Sequence, residues 1–386
     1  MELMKKILPI LLGALAISTS YADETNNNSA QDNSVLCEPA PLPPCCEIPQ
    51  GPQTAVYNQP AKTDLSCHTY NFFASGSFLW IKPIQDQMEF ASTFTPRPSP
   101  NINFLYKLNF DWVPAFNICL GNTFKYDNWD GYLEYTKIKG SDEKSVVALD
   151  DGSILQDFWS FQARPAFMTL DHVNAKWNLD FNMINYNIRR TYYNSPKLVF
   201  KAAYGLEGGW IKQKIRVESS GITIDEPIVS TIITTTGKSN SWLFGPKVSI
   251  YSNWHLGKDY GKGLRIFANG AASLFYQKFY NLSFDEPLVI FPVEGSNDLS
   301  INYTKYAINP SLEGIIGLGF GSNIYRNNSH LDISIGYQMQ MFFNQNLMRT
   351  LQQSINTLGL AASVKIDVKP GNLMFHGLNV TAKLEF

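Results

Sequence analysis

Apolar and polar residues alternate along most of the chain from about residue 69. In the run 331–341 every second residue is apolar, and the residues between are polar or glycine. The runs 176–183, 264–276 and 358–368 alternate in the same way. Successive side chains of a β-strand point to opposite faces, so each run predicts a strand with one apolar and one polar face.

The length of these runs distinguishes two β architectures. A tilted strand that crosses a bilayer needs about 9–11 residues, whereas strands of soluble proteins usually have about 5–6. The longest runs match the first value, with a soluble secreted β-sandwich as the alternative. The pattern therefore predicts an all-β fold over residues 69–386, a transmembrane antiparallel β-barrel of about 12–16 strands with 14 as the central value. Strands are predicted near 70–81, 110–122, 129–139, 172–183, 198–216, 241–252, 264–276, 311–322, 331–341, 357–368 and 374–386, with weaker runs near 84–91, 157–168, 222–235 and 297–308, and surface loops at 92–108, 140–156 and 280–296.

The final run has the same pattern and ends on an aromatic residue. Its apolar positions are Leu378, Val380, Ala382, Leu384 and Phe386, and its polar positions are Asn379, Thr381, Lys383 and Glu385. This ending resembles the signal that outer-membrane barrels present to their assembly machinery. It predicts a strand that faces lipid with its apolar side and pairs with the first strand, because unpaired backbone groups in lipid cost several kcal/mol each.

The start of the chain has the character of an export signal. Lys5 and Lys6 precede the apolar run 7–17, and Ser20-Tyr21-Ala22 offers a small-x-small cleavage site. Residues 1–22 are therefore predicted to be a signal peptide. Residues 23–68 are polar, proline-rich and without periodicity, which predicts a flexible N-terminal segment.

Composition narrows the function classes. Aromatic residues make up 13% and charged residues 17% of the chain, whereas charged residues are about 25% of an average soluble domain. The net charge of −2 provides no basic field for nucleic acid. The five histidines form no pattern with Cys, Asp or Glu that indicates a metal site or a nucleophile. We therefore expect no catalytic residue, metal or cofactor, and no enzymatic activity.

The cysteines are concentrated before the barrel. Cys37, Cys45, Cys46 and Cys67 precede it, and Cys119 lies within it. Export would place them where disulfides persist, and an odd number leaves at least one without an internal partner. The first four are the disulfide candidates. Whether the segment cross-links the protein or is a passive spacer stays open.

Charged and amide side chains on the polar faces are the candidates for a pore lining. Both charge signs occur among them, which predicts no strong ion selectivity. Tryptophans near strand ends, such as Trp80, Trp112, Trp129, Trp210 and Trp254, fit the aromatic girdle at a membrane interface. The predicted pore-lining residues are Lys176, Asp180, Lys212, Lys214, Arg216, Asp332, Gln338, Gln340, Lys365, Asp367, Lys383 and Glu385.

Several short motifs resemble, in order, those of one family. They are Ser77-Phe78-Leu79-Trp80-Ile81-Lys82 with Asp86 to Ala91, Phe110 to Phe116 with Gly121, Trp129-Asp130-Gly131-Tyr132-Leu133, Gly205 to Ile211, Phe244-Gly245-Pro246, Ala272 to Tyr276, and Asn344-Gln345-Asn346-Leu347. The chain resembles the Legionella major outer-membrane protein family, together with the MOMP-like proteins of environmental chlamydiae, over residues 70–386.

The resemblance implies a porin in the bacterial outer membrane that lets small hydrophilic solutes diffuse through. It also implies the alternative of a structural or adhesive surface barrel that is cross-linked through the N-terminal cysteines. The expected partners are outer-membrane lipid, the assembly machinery, small hydrophilic solutes, further copies of the chain and disulfide-linked envelope proteins, but no nucleic acid.

Overall fold

The computed structural model of the chain describes residues 72–95, 101–124, 129–148, 153–160, 168–195, 197–223, 230–256, 263–286, 299–324, 329–349 and 369–386. These residues form 13 β-strands. The strands are β1 (Phe72–Gln85), β2 (Glu89–Thr95), β3 (Asn101–Lys107), β4 (Val113–Thr123), β5 (Trp129–Val147), β6 (Ile154–Asp157), β7 (Met168–Asn194), β8 (Leu198–Thr223), β9 (Ser230–His255), β10 (Gly263–Glu286), β11 (Leu299–Ile324), β12 (Ser329–Asn346) and β13 (Gly371–Glu385). Among the described residues, no helix is long and apolar enough to cross a membrane.

Ten of these strands close into a ring. Their order around it is β1, β4, β5, β7, β8, β9, β10, β11, β12 and β13, and β13 pairs with β1. Every neighbouring pair in the ring is antiparallel. The short strands β2, β3 and β6 form an extension that joins β7 through Leu155 and Leu170. This confirms the predicted antiparallel barrel; in the described part of the chain, 13 strands form one sheet, and ten of them form the closed ring.

The two ends of the ring differ in the length of their connections. At one end, which we call the turn end, lie Phe72 and Phe386, and the strands that end or begin there are separated in the sequence by residues 124–128, 195–197, 256–262 and 325–328. At the opposite end, which we call the loop end, consecutive strands of the ring are separated in the sequence by residues 86–112, 148–167, 224–229, 287–298 and 347–370.

The outer face of β9 shows where the apolar surface of the barrel begins and ends. Trp242 and Trp254 both point outward, and the outward residues between them include exposed Phe244 and Val248. Twelve residue steps at about 3.4 Å, on a strand tilted by about 40°, span about 30 Å along the barrel axis. This matches the hydrocarbon thickness of a bilayer, so the two tryptophans mark its boundaries.

Beyond the boundary nearer the loop end, the polarity of the two faces is reversed. On β7, Trp177, Leu179 and Phe181 point inward and are fully buried, whereas Lys176 and Asp180 point outward. The run 176–183 was predicted to turn its apolar side to lipid, and that assignment is wrong. The polarity is reversed because this part of the strand lies beyond the apolar band, where the outer face meets water and the inner face packs against a core.

The same reversal explains why several predicted loops are strands. β5 continues to Val147, β10 continues to Glu286, and β3 lies within the predicted loop 92–108. β7 is 27 residues long and β8 is 26, more than twice the length that a membrane needs. The predicted strand 357–368 lies outside the described residues.

Apolar side chains from the wall and from the loop-end connections fill the interior near the loop end. Phe90 on β2 packs with inward residues of the ring such as Trp177, together with Met88, Phe110 and Trp159, which lie just outside the short strands. The ring of Phe110 lies 4.1 Å from that of Trp177, and Trp159 Nε1 donates a hydrogen bond to the Glu89 carbonyl at 3.0 Å. The interior of the barrel therefore has an apolar half at the loop end.

Candidate functional site

The other half of the interior holds a polar cavity of about 410 Å³, which we call the polar chamber. Inward side chains from all ten strands of the ring line it. The chamber runs from Phe181 at its apolar end to His255, Asn323 and Ser329 near the turn end. Its lining carries both charge signs, with Arg189, Lys201, Lys247, Arg265 and Lys383 opposed by Glu134, Glu207, Glu313, Asp332 and Glu385.

A network around Arg189 joins two distant parts of the chamber wall. The Arg189 guanidinium donates to Asp130 through Nη2 at 2.7 Å and through Nε at 3.0 Å. It also lies 5.3 Å from the ring centroid of Tyr132 on β5 and 5.4 Å from that of Tyr251 on β9. The two tyrosine hydroxyls are 2.6 Å apart. Since β7 and β8 separate β5 from β9 in the ring, this network braces the wall across two strands.

A second charged network joins a nearly inaccessible pair, Lys247 and Glu207, to Glu313, whose side chain is 41% exposed. Lys247 Nζ lies 2.7 Å from Glu313 Oε2 and 3.7 Å from Glu207 Oε2. Ser273 Oγ donates to the same Glu207 oxygen at 2.5 Å. The side chains of Lys247 and Glu207 are 4% and 1% exposed. Buried charges at this level need partners, because an unpaired charge in the interior is very unfavourable.

Four phenylalanines close the chamber toward the loop end, and we call them the phenylalanine barrier. Phe181 on β7 lies 5.3 Å from Phe342 on β12 and 4.9 Å from Phe375 on β13, measured between ring centroids. Phe275 on β10 lies 6.0 Å from Phe342. β7 is at least four strands away from β12 and β13 in either direction around the ring. These contacts therefore cross the interior and block it at this level.

The structure brings five of the predicted pore-lining residues together in the polar chamber. Asp332, Gln338 and Gln340 reach it from β12, and Lys383 and Glu385 reach it from β13. Asp332 accepts from Arg265 through both oxygens, with Nη2 to Oδ1 at 2.7 Å. Lys383 Nζ lies 2.5 Å from Glu385 Oε1. Lys365 and Asp367 lie outside the described residues.

Five other predicted pore-lining residues point away from the interior. The structure places Lys176 and Asp180 on the outer face of β7, and it places Lys212, Lys214 and Arg216 on the outer face of β8. On these strands the fully buried residues between them, such as Ile211 and Ile215, point inward. The prediction assumed that polar residues always face the interior. That holds within the apolar band and is corrected beyond it, where the outer face meets water.

Sequence reasoning missed four charged residues of the two networks in the chamber wall. Each is an isolated charged residue on its own face of the strand, with apolar residues, glycines or residues of the opposite face as its neighbours in the sequence. They are Asp130, Arg189, Glu207 and Lys247. A signal was present on β8, where the residues two apart from Lys201 to Gly209 are charged or small, which is unusual for a lipid face. The four phenylalanines had no comparable signal, because an isolated phenylalanine in an alternating strand fits a lipid-facing position equally well.

The structure places the predicted assembly signal on the outer surface. Leu378, Leu384 and Phe386 are exposed, while Thr381 and Lys383 line the chamber. The Phe72 amide donates to the Phe386 carbonyl at 3.1 Å, and the Phe386 amide donates to the Phe72 carbonyl at 2.9 Å. These two bonds close the ring at the turn end.

The cysteines and possible metal ligands add no further site within the described part of the chain. Cys119 is buried, carries a free thiol and lines the polar chamber. The disulfide candidates Cys37, Cys45, Cys46 and Cys67 lie outside the described residues, so the cross-linking alternative stays a prediction. No group of three or more His, Cys, Asp or Glu side chains in the described ranges is arranged to hold a metal ion.

Several solved structures align with the chain at low similarity. The outer membrane protease OmpT of Escherichia coli is 10% identical, with a TM-score of 0.36, over 83% of this chain and 98% of its own. A Pseudomonas aeruginosa FadL homologue is 6% identical, with a TM-score of 0.23, over 82% of this chain and 90% of its own. A mutant of the monoaromatic hydrocarbon channel TodX is 8% identical, with a TM-score of 0.25, over 82% of this chain and 90% of its own. No curated protein sequence matches the chain.

A protein family model matches most of the chain. The model of the Legionella pneumophila major outer membrane protein precursor matches residues 64–386, which confirms the family resemblance of the sequence motifs. Its range includes every strand of the barrel. The family match likewise confirms the location predicted from the sequence, the bacterial outer membrane. The chain belongs to the Legionella major outer membrane protein family.

Proposed function

We propose that this barrel is a porin-like channel for small hydrophilic solutes, whose permeability the phenylalanine barrier controls. The observation that carries the proposal is the polar chamber, to which all ten strands of the ring contribute inward side chains. A barrel that served only as an anchor or scaffold would have no need for a cavity of about 410 Å³ with ten charged residues in its lining.

The chamber suits small polar solutes of either charge sign. Its lining contains five cations and five carboxylates, so no single sign dominates the field inside. Rings of one sign set the selectivity of pores that prefer cations or anions. We therefore infer a weakly selective chamber.

The phenylalanine barrier limits passage through this arrangement. Hydrophobic constrictions in channels stop ions and polar solutes because water leaves the narrow apolar segment. Passage requires the rings of Phe181, Phe342 and Phe375 to move apart, and it also requires the packed apolar half beyond them to be displaced. We infer a channel that is closed most of the time and opens in brief events.

Planar bilayers that contain the purified full-length chain test the proposal. We expect discrete, brief conductance steps in potassium chloride, and slow swelling of proteoliposomes in small sugars. Wild-type barrels that carry no current, together with barrels lacking two barrier rings that carry none either, would contradict a channel function. The folded state is checked by the heat-dependent gel mobility of the same samples.

A further inference from the structure

A row of basic residues follows the aromatic boundary on the outer face of β8. Trp210 is 46% exposed, and the next three outward residues toward the loop end are Lys212, Lys214 and Arg216. Lys176 on β7 and Lys238 on β9 flank them. We call these five residues the basic patch. None of them contributes to the polar chamber.

The basic patch begins at the height of the headgroup layer of a membrane and continues above it. Outward residues follow one another at about 6.7 Å along a strand, which is about 5 Å along the axis at a tilt of about 40°. Lys212, Lys214 and Arg216 therefore lie about 5, 10 and 15 Å beyond Trp210. Flexible side chains of this length can reach down to lipid phosphates from these positions.

The strand register brings like charges face to face within the patch. Lys214 lies directly opposite Lys238, and Arg216 lies directly opposite Lys176. Like charges at directly opposed positions destabilise a sheet. An anion bound between the strands relieves this repulsion.

The carboxylates around the patch neutralise only part of its charge. Arg216 pairs with Glu218 at 2.5 Å, Lys176 with Glu143 at 2.8 Å and Lys238 with Asp285 at 3.8 Å. Within the described ranges, Lys212 and Lys214 have no carboxylate at ion-pair distance. Lys212 has only Asp180 as an acidic register neighbour, and that carboxylate accepts from Asn182.

We propose that the basic patch binds the phosphate groups of a phosphorylated outer-leaflet lipid. Barrels of bacterial outer membranes have short periplasmic turns and longer extracellular loops, so the loop end faces outward and the patch lies at the outer leaflet. The lipid tails pack on the apolar band below Trp210, and the phosphates lie between Lys212, Lys214 and Lys238. The proposal is independent of whether the barrel conducts solutes.

Titration of the full-length protein in a nonionic detergent tests this site. The probes are bis-phosphorylated lipid A and the same lipid after removal of both phosphates. Each lysine near an anionic lipid surface strengthens binding about fivefold. We therefore expect the variant K212Q/K214Q to bind the phosphorylated lipid about 25-fold more weakly than the wild type, and the dephosphorylated lipid to bind weakly to both.

The matched control removes two positive charges elsewhere. K107Q/K144Q changes lysines of β3 and β5 outside the basic patch and should retain wild-type affinity within about twofold. Equal binding of the phosphorylated lipid by K212Q/K214Q and the wild type would overturn the proposal. So would equal binding of the dephosphorylated lipid, or full displacement of the lipid by excess inorganic phosphate, which would indicate a general anion site.

Discussion

The ring of Phe181 on β7 lies 4.9 Å from the ring of Phe375 on β13, although four strand pairings separate the two strands around the barrel. This contact crosses the interior at the level where the polar chamber ends. Both side chains are fully buried. The barrel is therefore braced from wall to wall by the same side chains that block it, which couples its stability to its permeability.

Removing two rings of the barrier should open the channel. In F181A/F375A, no aromatic contact remains between β7 and the opposite wall at this level, so water can enter the apolar segment. We expect conductance steps in planar bilayers to be more frequent and longer than those of the wild type, while the packed apolar half at the loop end still limits their size. The outward variant F78A, which removes a phenylalanine from the lipid face, should conduct like the wild type. Equal conductance of F181A/F375A and F78A would contradict the proposal that the phenylalanine barrier limits the conductance.

The cost of a charge on β13 should depend on which face carries it. Val380 points outward between Phe78 on β1 and Ile335 on β12. We expect V380R to lower the free energy of unfolding in vesicles by about 2–4 kcal/mol, because it places a cation near the bilayer midplane. T381R directs its charge into the polar chamber and should cost less, and L384R, nearer the boundary, should be intermediate. Urea titrations in lipid vesicles measure all three; equal losses would contradict the assignment of the faces.

Alternation in the sequence was sufficient to predict the fold. The strands β10, β12 and β13 follow from their period of two, and the closing pair of β1 and β13 follows from the need to satisfy every backbone group in lipid. The residues that face the chamber from β12 and β13 also alternate with clearly apolar neighbours. Within the apolar band, polarity and direction agree, so the sequence alone indicates the inward side.

The inward and outward sides of the long strands could not be predicted throughout, because polar residues face inward within the apolar band and outward beyond it. Trp210 and Lys212 share the outer face of β8, yet one meets lipid and the other meets water. The sequence pattern does not show at which residue a strand leaves the apolar band. The buried pair Lys247 and Glu207 was missed for a related reason, since contacts between β8, β9 and β11 depend on the register of three strands.

The buried pair of Lys247 and Glu207 should be more important for stability than a more exposed pair. K247M leaves Glu207, whose side chain is 1% exposed, without a cation, and it also removes the partner of Glu313, whose side chain is 41% exposed. Breaking a buried pair in this way costs about 3–5 kcal/mol. K383M removes a lysine whose side chain is 25% exposed and whose partner Glu385 is 43% exposed, and such pairs contribute about 0–1 kcal/mol. Urea unfolding in vesicles should separate the two variants, and K247M/E207Q should recover part of the loss.

The free thiol of Cys119 should report that the polar chamber admits water-soluble molecules. Cys119 lines the chamber from β4, whereas its neighbour Ile118 points outward and is 49% exposed. In a variant with the cysteines at 37, 45, 46 and 67 replaced by serine, a small charged methanethiosulfonate should modify Cys119 in vesicles. With C119S/I118C in the same background, a membrane-soluble maleimide should react and the charged reagent should not. Mass spectrometry of the intact chain measures both reactions. A thiol at 119 that reacts only with the membrane-soluble reagent would place this position of β4 toward lipid and would remove Cys119 from the chamber.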